Sequence, residues 1–566
     1  MAAPLRPPWV RILFAGAILL LGAAIFLLFK EIGSTLSDLT AGDAVREHQA
    51  FYNFTHGRPL QLSGCYSGLD GIKYAPFAYA NNTAIHVNFT PFLFAPFYRL
   101  WPSIQGCYAL MLLVNYLGIA FWIVKLLRSD GGPHAAAKSA LALSALLLSS
   151  GFFWTVSCKN HLPLYIGPFF FALYYFHATG KAVGYWLALA LCCGVSEDSA
   201  LFMLSWAGFL FWFQPGQRRK AVWTALAALV WAVFAVKVLN VWARQGMEVQ
   251  EASNLWAQLH YVLSGGRMKI MTGNLLELLR AVAVFSPILV CNALLFQKKP
   301  LSCLPRVCGF VFLAPLSHWA VTVLAGGDHH WFPIFLCLLA AAVELMRGPQ
   351  TRPFPEALRG RAAAALAAFV LANACGLYYG PLKLLARREL LPRLMGYPVP
   401  DDASRAAHNR RVIDFIHALP REASCDFWLD RNVMGFVADR SGLWAFPDYF
   451  GSTDFLVIDR RMPEEPFMPP DPALPQGFRI HLLPADRDFL ASLAENGVIK
   501  RKNLSKIADR LVRQGTYRII REDADMLALE RLERIAFPIP AASMGIGFLR
   551  RGPPDGVATS PLSRRT

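Results

Sequence analysis

Asp43, Glu47 and His48 sit close together in a polar stretch, Asp43–Pro102, that follows the first apolar segment. Two carboxylates and an imidazole within little more than a helical turn can move a proton. A partly desolvated carboxylate takes the proton of an attacking hydroxyl, and an imidazole beside it orients or assists. Asp43 is the candidate base and His48 its neighbour. The same residues would also suit the solvated face of an amphipathic helix, so both readings stand here.

Three other groups have chemical potential. Glu197-Asp198 interrupts the apolar run Ala182–Phe213. Two carboxylates at mid-membrane cost on the order of 3 kcal/mol each on insertion scales, unless paired or in a wet cavity. They are candidates for positioning substrate or a cation; the alternative is a polar turn in which Ser196 caps the next helix. Asp328, His329 and His330 are candidates for substrate contact, and a divalent cation could draw on Asp198, Asp328 and His330. Lys237 and Arg280 lie near the ends of apolar segments, placed either to snorkel or to hold a phosphate at the membrane surface. His86 and His260 join them as substrate-contact candidates. The chain has no P-loop, dinucleotide glycine motif or nucleophile elbow. Asn53, Asn81 and Asn88 begin glycosylation-type triplets.

The elements that must position these residues are membrane-length. Of the 566 residues 55% are hydrophobic, and the mean hydropathy is +0.37, above the range of soluble chains. Several apolar stretches reach the roughly 17–25 residues that cross hydrocarbon as a helix. The formal charge of +17 sits largely in short loops between apolar segments. There it orients helices rather than binding nucleic acid. Most of the 11 cysteines lie in apolar segments without metal-site spacing; a Cys65–Cys158 bridge is the one pairing the outer loops offer.

Val10–Lys30 reads as a retained first helix with Arg6 and Arg11 at its cytoplasmic start. If Ala182–Phe213 is split at Ser196–Asp198, the positive-inside rule gives about eleven crossings, with every short basic loop on the inner side. Glu197-Asp198 then falls at the outer face. The expected fold is an α-helical polytopic membrane protein, residues 1–380, with a large outer loop over 31–105. A small α/β domain outside the membrane follows over 381–535, then a disordered tail over 536–566. Within the α/β region the pattern predicts a helix at Asn409–Leu419, strands at Ala423–Leu429, Gly442–Phe446 and Phe455–Asp459, a helix at Asp486–Glu495, and a hairpin of Tyr517–Ile520 with Met526–Leu529.

The segment Asp43…His48-Gln49-Ala50-Phe51-Tyr52-Asn53…His56-Gly57-Arg58 resembles the first loop of a bacterial family of membrane proteins labelled a domain of unknown function. That family is grouped with the GT-C-type membrane glycosyltransferases. Asn88-Phe89-Thr90-Pro91…Trp101-Pro102-Ser103, Ser196-Glu197-Asp198, His260-Tyr261 and Thr453–Asp459 resemble further motifs of it. His48 stands where the family has a second Asp, and Asn88 where it has a His. The resemblance implies a GT-C-like membrane domain with a catalytic carboxylate in the first outer loop. It also implies a sugar donor on a polyprenyl-phosphate carrier and a C-terminal domain outside.

The expected function is therefore an inverting glycosyltransferase in a bacterial plasma (inner) membrane, N-terminus cytoplasmic and C-terminal domain extracytoplasmic. Asp43 would be the base, Glu197 and Asp198 would position substrate or a divalent ion, and Arg280 or Lys237 would hold the carrier phosphate. Partners are the bilayer and the lipid-linked donor. The competing classes are a transporter or flippase of a lipid-linked or small polar substrate, with charges on both faces and along the path, and a non-catalytic membrane scaffold, for which the outer carboxylates are dispensable.

Overall fold

The computed structural model describes residues 8–33, 43–57, 61–62, 80–81, 88–129, 135–149, 152–153, 156, 162–196, 199–239, 289, 292–293, 307–310, 332–347, 402–421, 423–429, 431–440, 442–445, 454–461 and 504–532. Helix α1 (Pro8–Gly33) carries the 21-residue apolar span Val10–Lys30. Only 17% of its most apolar window is buried. An apolar helix left uncovered by protein needs lipid as its solvent. Helix α2 (Asp43–Thr55) follows, then a two-stranded ribbon of β1 (Gln61–Leu62) and β2 (Ala80–Asn81), then the short α3 (Thr90–Tyr98).

The helical layer continues through α4 (Ile104–Ser129), α5 (Ala135–Leu148), α6 (Ile166–Ala178), α7 (Ala182–Cys193), α8 (Ser199–Phe213), α9 (Arg218–Phe234) and α10 (Phe332–Leu345). Besides α1, the α4 segment Ile104–Ser129 and the α9 segment Pro215–Leu239 are long and apolar enough to cross a membrane; α5, α7, α8 and α10 are shorter apolar helices. The other crossings expected from the sequence involve residues outside the described set.

Side-chain contacts fix the relative directions. The middle of α4 meets the start of α6 at Gly118 and Pro168, and further along both they meet at Trp122 and Tyr175, so they run parallel. A Cβ on Gly118 would stand 2.6 Å from Pro168 Cβ, so the missing side chain is what lets the two helices approach so closely. Helix α10 also runs with α6: Phe332 lies at Gly167 and Glu344 at Tyr174. Between α6 and α7 the chain reverses at Gly180, whose φ of 71° is natural for glycine. There Lys181 N–H donates to Phe176 O (3.0 Å) and Gly180 N–H to His177 O (3.2 Å), closing the helix as a Schellman motif. Helix α9 runs alongside α7, with Tyr185 and Thr224 hydroxyls 2.7 Å apart.

The bundle therefore has two unlike ends. Arg128, Lys181, Arg218, Arg219, Lys220 and Arg347 mark a basic end. At the other, here the α2 end, Phe89 N–H donates to Gly194 O at 2.9 Å, and Phe89 lies against Trp231 of α9. The expected break in Ala182–Phe213 falls at this end: α7 stops at Cys193 and α8 starts at Ser199. Ser196 Oγ accepts the Ser199 N–H at 3.3 Å, as a cap would.

The C-terminal region is α/β. Helix α11 (Asp402–Ala418) precedes β3 (Ser424–Trp428), a short α12 (Arg431–Met434), β4 (Gly442–Ala445) and β5 (Phe455–Asp459); α13 (Leu504–Arg513) then leads to β6 (Tyr517–Glu522) and β7 (Met526–Arg531). The sheet order is β4-β3-β5-β7-β6, with β4, β3 and β5 parallel and β7 and β6 antiparallel. β5 is buried along its whole length, as a central strand covered on both faces must be. The predicted strands and closing hairpin coincide with these elements to within one or two residues. Helix α11 starts earlier than predicted. Helix α13 was not anticipated, although Leu504, Ile507, Ala508 and Leu511 recur at helical spacing. The helix predicted at Asp486–Glu495 lies outside the described residues.

Candidate functional site

Helix α2 is enclosed rather than solvated. Every residue from Ala44 to Asn53 is buried, and its apolar residues divide between two cores. Ala44, Phe51 and Tyr52 pack with Tyr98, Ile104, Cys107 and Tyr108 of the bundle, whereas Val45 joins Val412, Ile416, Val433 and Val437 of the α/β region. Helix α2 is thus the seam between the two.

The polar side chains follow the same division. The ring of His48 hydrogen-bonds through Nδ1 to Gly435 O at 2.9 Å. A carbonyl only accepts, so Nδ1 carries the proton and Nε2 of the neutral ring bears a lone pair. Gln49 Nε2 donates to Arg440 O at 3.3 Å. The segment supplying both carbonyls is braced by the Arg440 guanidinium, which donates to Ile416 O and to Cys425 Sγ, each at 2.8 Å. Toward the bundle, the buried Glu47 carboxylate lies 3.5 Å from the Arg46 guanidinium. It is close enough to Cys107 and Tyr165 to act on them electrostatically. The His48 ring meets that of Tyr98 edge-on at 5.7 Å. Among the described residues neither His48 Nε2 nor the Tyr98 hydroxyl has a hydrogen-bond partner.

Electrostatics at the seam have identifiable causes. Burial lowers the His48 pKa below its ordinary 6.5, against the opposing pull of the Gly435 bond and Asp439. Burial pushes the Tyr98 phenol up. On the α/β side, the hydrogen bond to Asp439 raises His417. Burial alone would raise Asp439; the His417 bond, with the charges of His417 and Arg421, brings it below its usual value instead. Arg421 completes this group at 3.2 Å from Asp439.

Asp43 is the first residue of α2, one turn before Glu47. Lys237 is exposed beyond α9, and α9 reaches the α2 end where Trp231 meets Phe89. The structure thus brings Asp43, His48 and Lys237 to one end of the bundle. Glu197, Asp198, His86, His260, Arg280, Asp328, His329 and His330 lie outside the described residues, as do Cys65 and Cys158. The flanks of the first pair, Ser196 and Ser199, are at the α2 end. Among the described residues no group of three or more His, Cys, Asp or Glu side chains stands together as a metal site.

The two departures from the family's motifs have structural roles here. His48 ties α2 to the α/β region, and the buried Asn88 lies two residues before the start of α3, its Oδ1 accepting the Thr90 N–H at 2.7 Å and the Thr90 hydroxyl. Asn53 and Asn88 are buried, which shields both from glycosylation once folded.

Sequence reasoning passed over a second polar cluster, at the basic end. The Tyr174 hydroxyl donates to Glu344, which also pairs with Arg347 at 3.3 Å. Beside them Lys220 Nζ lies 3.3 Å from His177 Nδ1 and 3.8 Å over the Tyr185 ring. Glu344 had a legible signal, a carboxylate inside the apolar run Phe332–Leu345.

A chain of apolar helices, several of spanning length, joined to an α/β region, is a polytopic α-helical membrane protein. A family profile described as "Predicted membrane protein (DUF2079)" matches residues 48–378, and the chain belongs to that family. No curated protein matches it. Among solved structures it is similar to ArnT from Cupriavidus metallidurans bound to undecaprenyl phosphate, with 12% identity, 91% of this chain and 98% of that chain covered, and a TM-score of 0.46. The apo form of that protein gives 11% identity, coverage of 91% and 97%, and a TM-score of 0.45.

Proposed function

We propose that this protein is a membrane glycosyltransferase that moves a sugar from a polyprenyl-phosphate carrier to an acceptor on the outer face. The α2 end is then the outer end. The observation that carries the reading is the enclosure of α2, where a carboxylate-bearing helix of low apolar content is held between a membrane bundle and an α/β region. Buried ionisable groups in a membrane protein are costly and mark functional sites by default.

In this reading Asp43 is the base that takes the acceptor proton, and Glu47 sets the field around it from one turn away. His48 positions α2 through Gly435 rather than touching substrate. Glu197 and Asp198 position substrate or a divalent cation, and Arg280 or Lys237 holds the carrier phosphate. The domain limits at residues 380 and 535 belong to the same reading. The test is transfer from a panel of polyprenyl-phosphate sugars by the full-length protein in proteoliposomes, wild type against Asp43→Asn. Loss of transfer at unchanged membrane abundance supports the reading. Full transfer by Asp43→Asn removes the base assignment, and no transfer by the wild type from any donor removes the reaction.

A further inference from the structure

At the basic end, Lys220 in the cluster around His177 is a cation that no carboxylate among the described residues meets. Glu344 is engaged by the Tyr174 hydroxyl and by Arg347. Among the described residues no carboxylate pairs with Lys220; its ammonium is half-buried between the Tyr185 ring and His177. Because Lys220 donates to Nδ1, the neutral imidazole carries its proton on Nε2 and presents a further donor. The Arg347 guanidinium lies over the Tyr174 ring at 5.7 Å, one turn of α6 before His177. Lys220, His177 and Arg347 therefore come from three helices to one place. Trp206 floors that place, donating to the Tyr185 hydroxyl at 3.2 Å and meeting the His177 ring edge-on.

The surroundings add to the imbalance. Arg218 and Arg219 precede Lys220 in the first turn of α9, which has no acidic residue and no side-chain cap. Cations there oppose the helix dipole, so an anion nearby would relieve two unfavourable arrangements together. On the face of α9 that carries Arg219, about a third of a turn round from Lys220, Val222, Trp223, Leu226, Leu229 and Val230 form an exposed apolar stripe. A phosphate held at the cations, with hydrocarbon along that stripe, is the chemistry of a phospholipid.

We propose that the basic ends of α6, α9 and α10 form a binding site for the phosphate of an anionic phospholipid, with Lys220, His177 and Arg347 as its donors. By the positive-inside rule this is the inner leaflet, opposite the α2 end. The site is separate from the transfer chemistry proposed above and does not depend on it.

The experiment is native mass spectrometry of the full-length protein in detergent, titrated with phosphatidylglycerol or with phosphatidylcholine. A thermal-unfolding arm uses inorganic phosphate. Each basic residue near a charged membrane surface contributes about fivefold, and Arg347 is already paired with Glu344, so Lys220 should make phosphatidylglycerol bind the wild type about fivefold more tightly than phosphatidylcholine. Lys220→Gln should remove most of that preference, Lys220→Arg should keep it, and Arg99→Gln, which changes an exposed cation at the α2 end, should leave it nearly intact. Should Lys220→Gln fail to fold, His177→Gln replaces it. The proposal is overturned by equal affinity for the two lipids in the wild type. It is also overturned if Lys220→Gln, or His177→Gln in its place, keeps the full preference, or if Arg99→Gln loses as much as Lys220→Gln. Thermal protection by inorganic phosphate as large as that by phosphatidylglycerol overturns the lipid assignment.

Discussion

The two ends of the helical bundle both bury polar groups, but by opposite routes. At the α2 end the polar residues are consecutive, on one helix whose mean character is not apolar, and burial comes from two separate cores closing over it. At the basic end they are scattered over three largely apolar helices: Tyr174 and His177 on α6, Lys220 on α9 and Glu344 on α10. The first arrangement depends on a distant part of the chain arriving. The second is assembled by helix packing alone.

The largest expected effect separates the two ends by function. On the proposed reading Asp43→Asn should lower transfer by about 10²–10⁴-fold, the usual range for a lost general base, while Arg219→Gln at the basic end should leave turnover unchanged. Steady-state transfer in proteoliposomes reads both, and equal losses would break the functional contrast. Next comes packing. Glu344→Leu leaves Arg347 without its carboxylate and should cost about 3 kcal/mol, whereas Tyr174→Phe should cost about 1–2 kcal/mol. Thermal unfolding in detergent checks the pair, and a neutral Glu344→Leu would show that the basic end is not held by this network.

The α2 end should respond to pH, and the sign follows from its two histidines. Buried His48 has its pKa lowered from 6.5, so below about pH 6.5 the unfolded chain takes up the proton first. Stability should then fall as pH drops toward the lowered value. His417, raised by Asp439, adds stability that is fully present below 6.5 and is lost as pH rises through its raised value. Docking of α2 should therefore be firmest near pH 6.5. His48→Gln should flatten the acid limb and His417→Gln the alkaline limb, read by unfolding temperature against pH. Unchanged limbs in both variants would remove the histidines from the docking energetics. The smallest effect is Gly180→Ala, where added atoms meet nothing within 4 Å. Only the left-handed backbone is penalised, at about 1 kcal/mol.

Much of this could be read in the sequence, and the limits have physical causes. The break before Ser199 was legible because two carboxylates in hydrocarbon are too costly to leave unbroken. β5 was legible as the apolar run Phe455–Ile458, which one strand's burial explains. The placement of β3 between β4 and β5 was not, because parallel pairing is decided by crossovers rather than by any strand's pattern. Asp43, Glu47 and His48 stood out as a cluster, yet nothing local distinguishes a solvated amphipathic helix from one covered by residues near 435. Lys220 and His177 were invisible as a pair, since each by itself looks like the ordinary polar end of a membrane helix.

The bond between His48 and Gly435 spans 387 positions of the chain. At roughly 5–20 residues per second of synthesis, α2 waits about 20–80 s before the backbone that covers it exists. For that interval its amide- and imidazole-bearing face has no native neighbour, and a nascent chain cut short before residue 435 never gains one. Ribosome stalling, early termination or a slow codon run in the last quarter of the message would then first be felt at the beginning of the protein, and chaperones or proteases that police membrane insertion would meet α2 as the exposed segment.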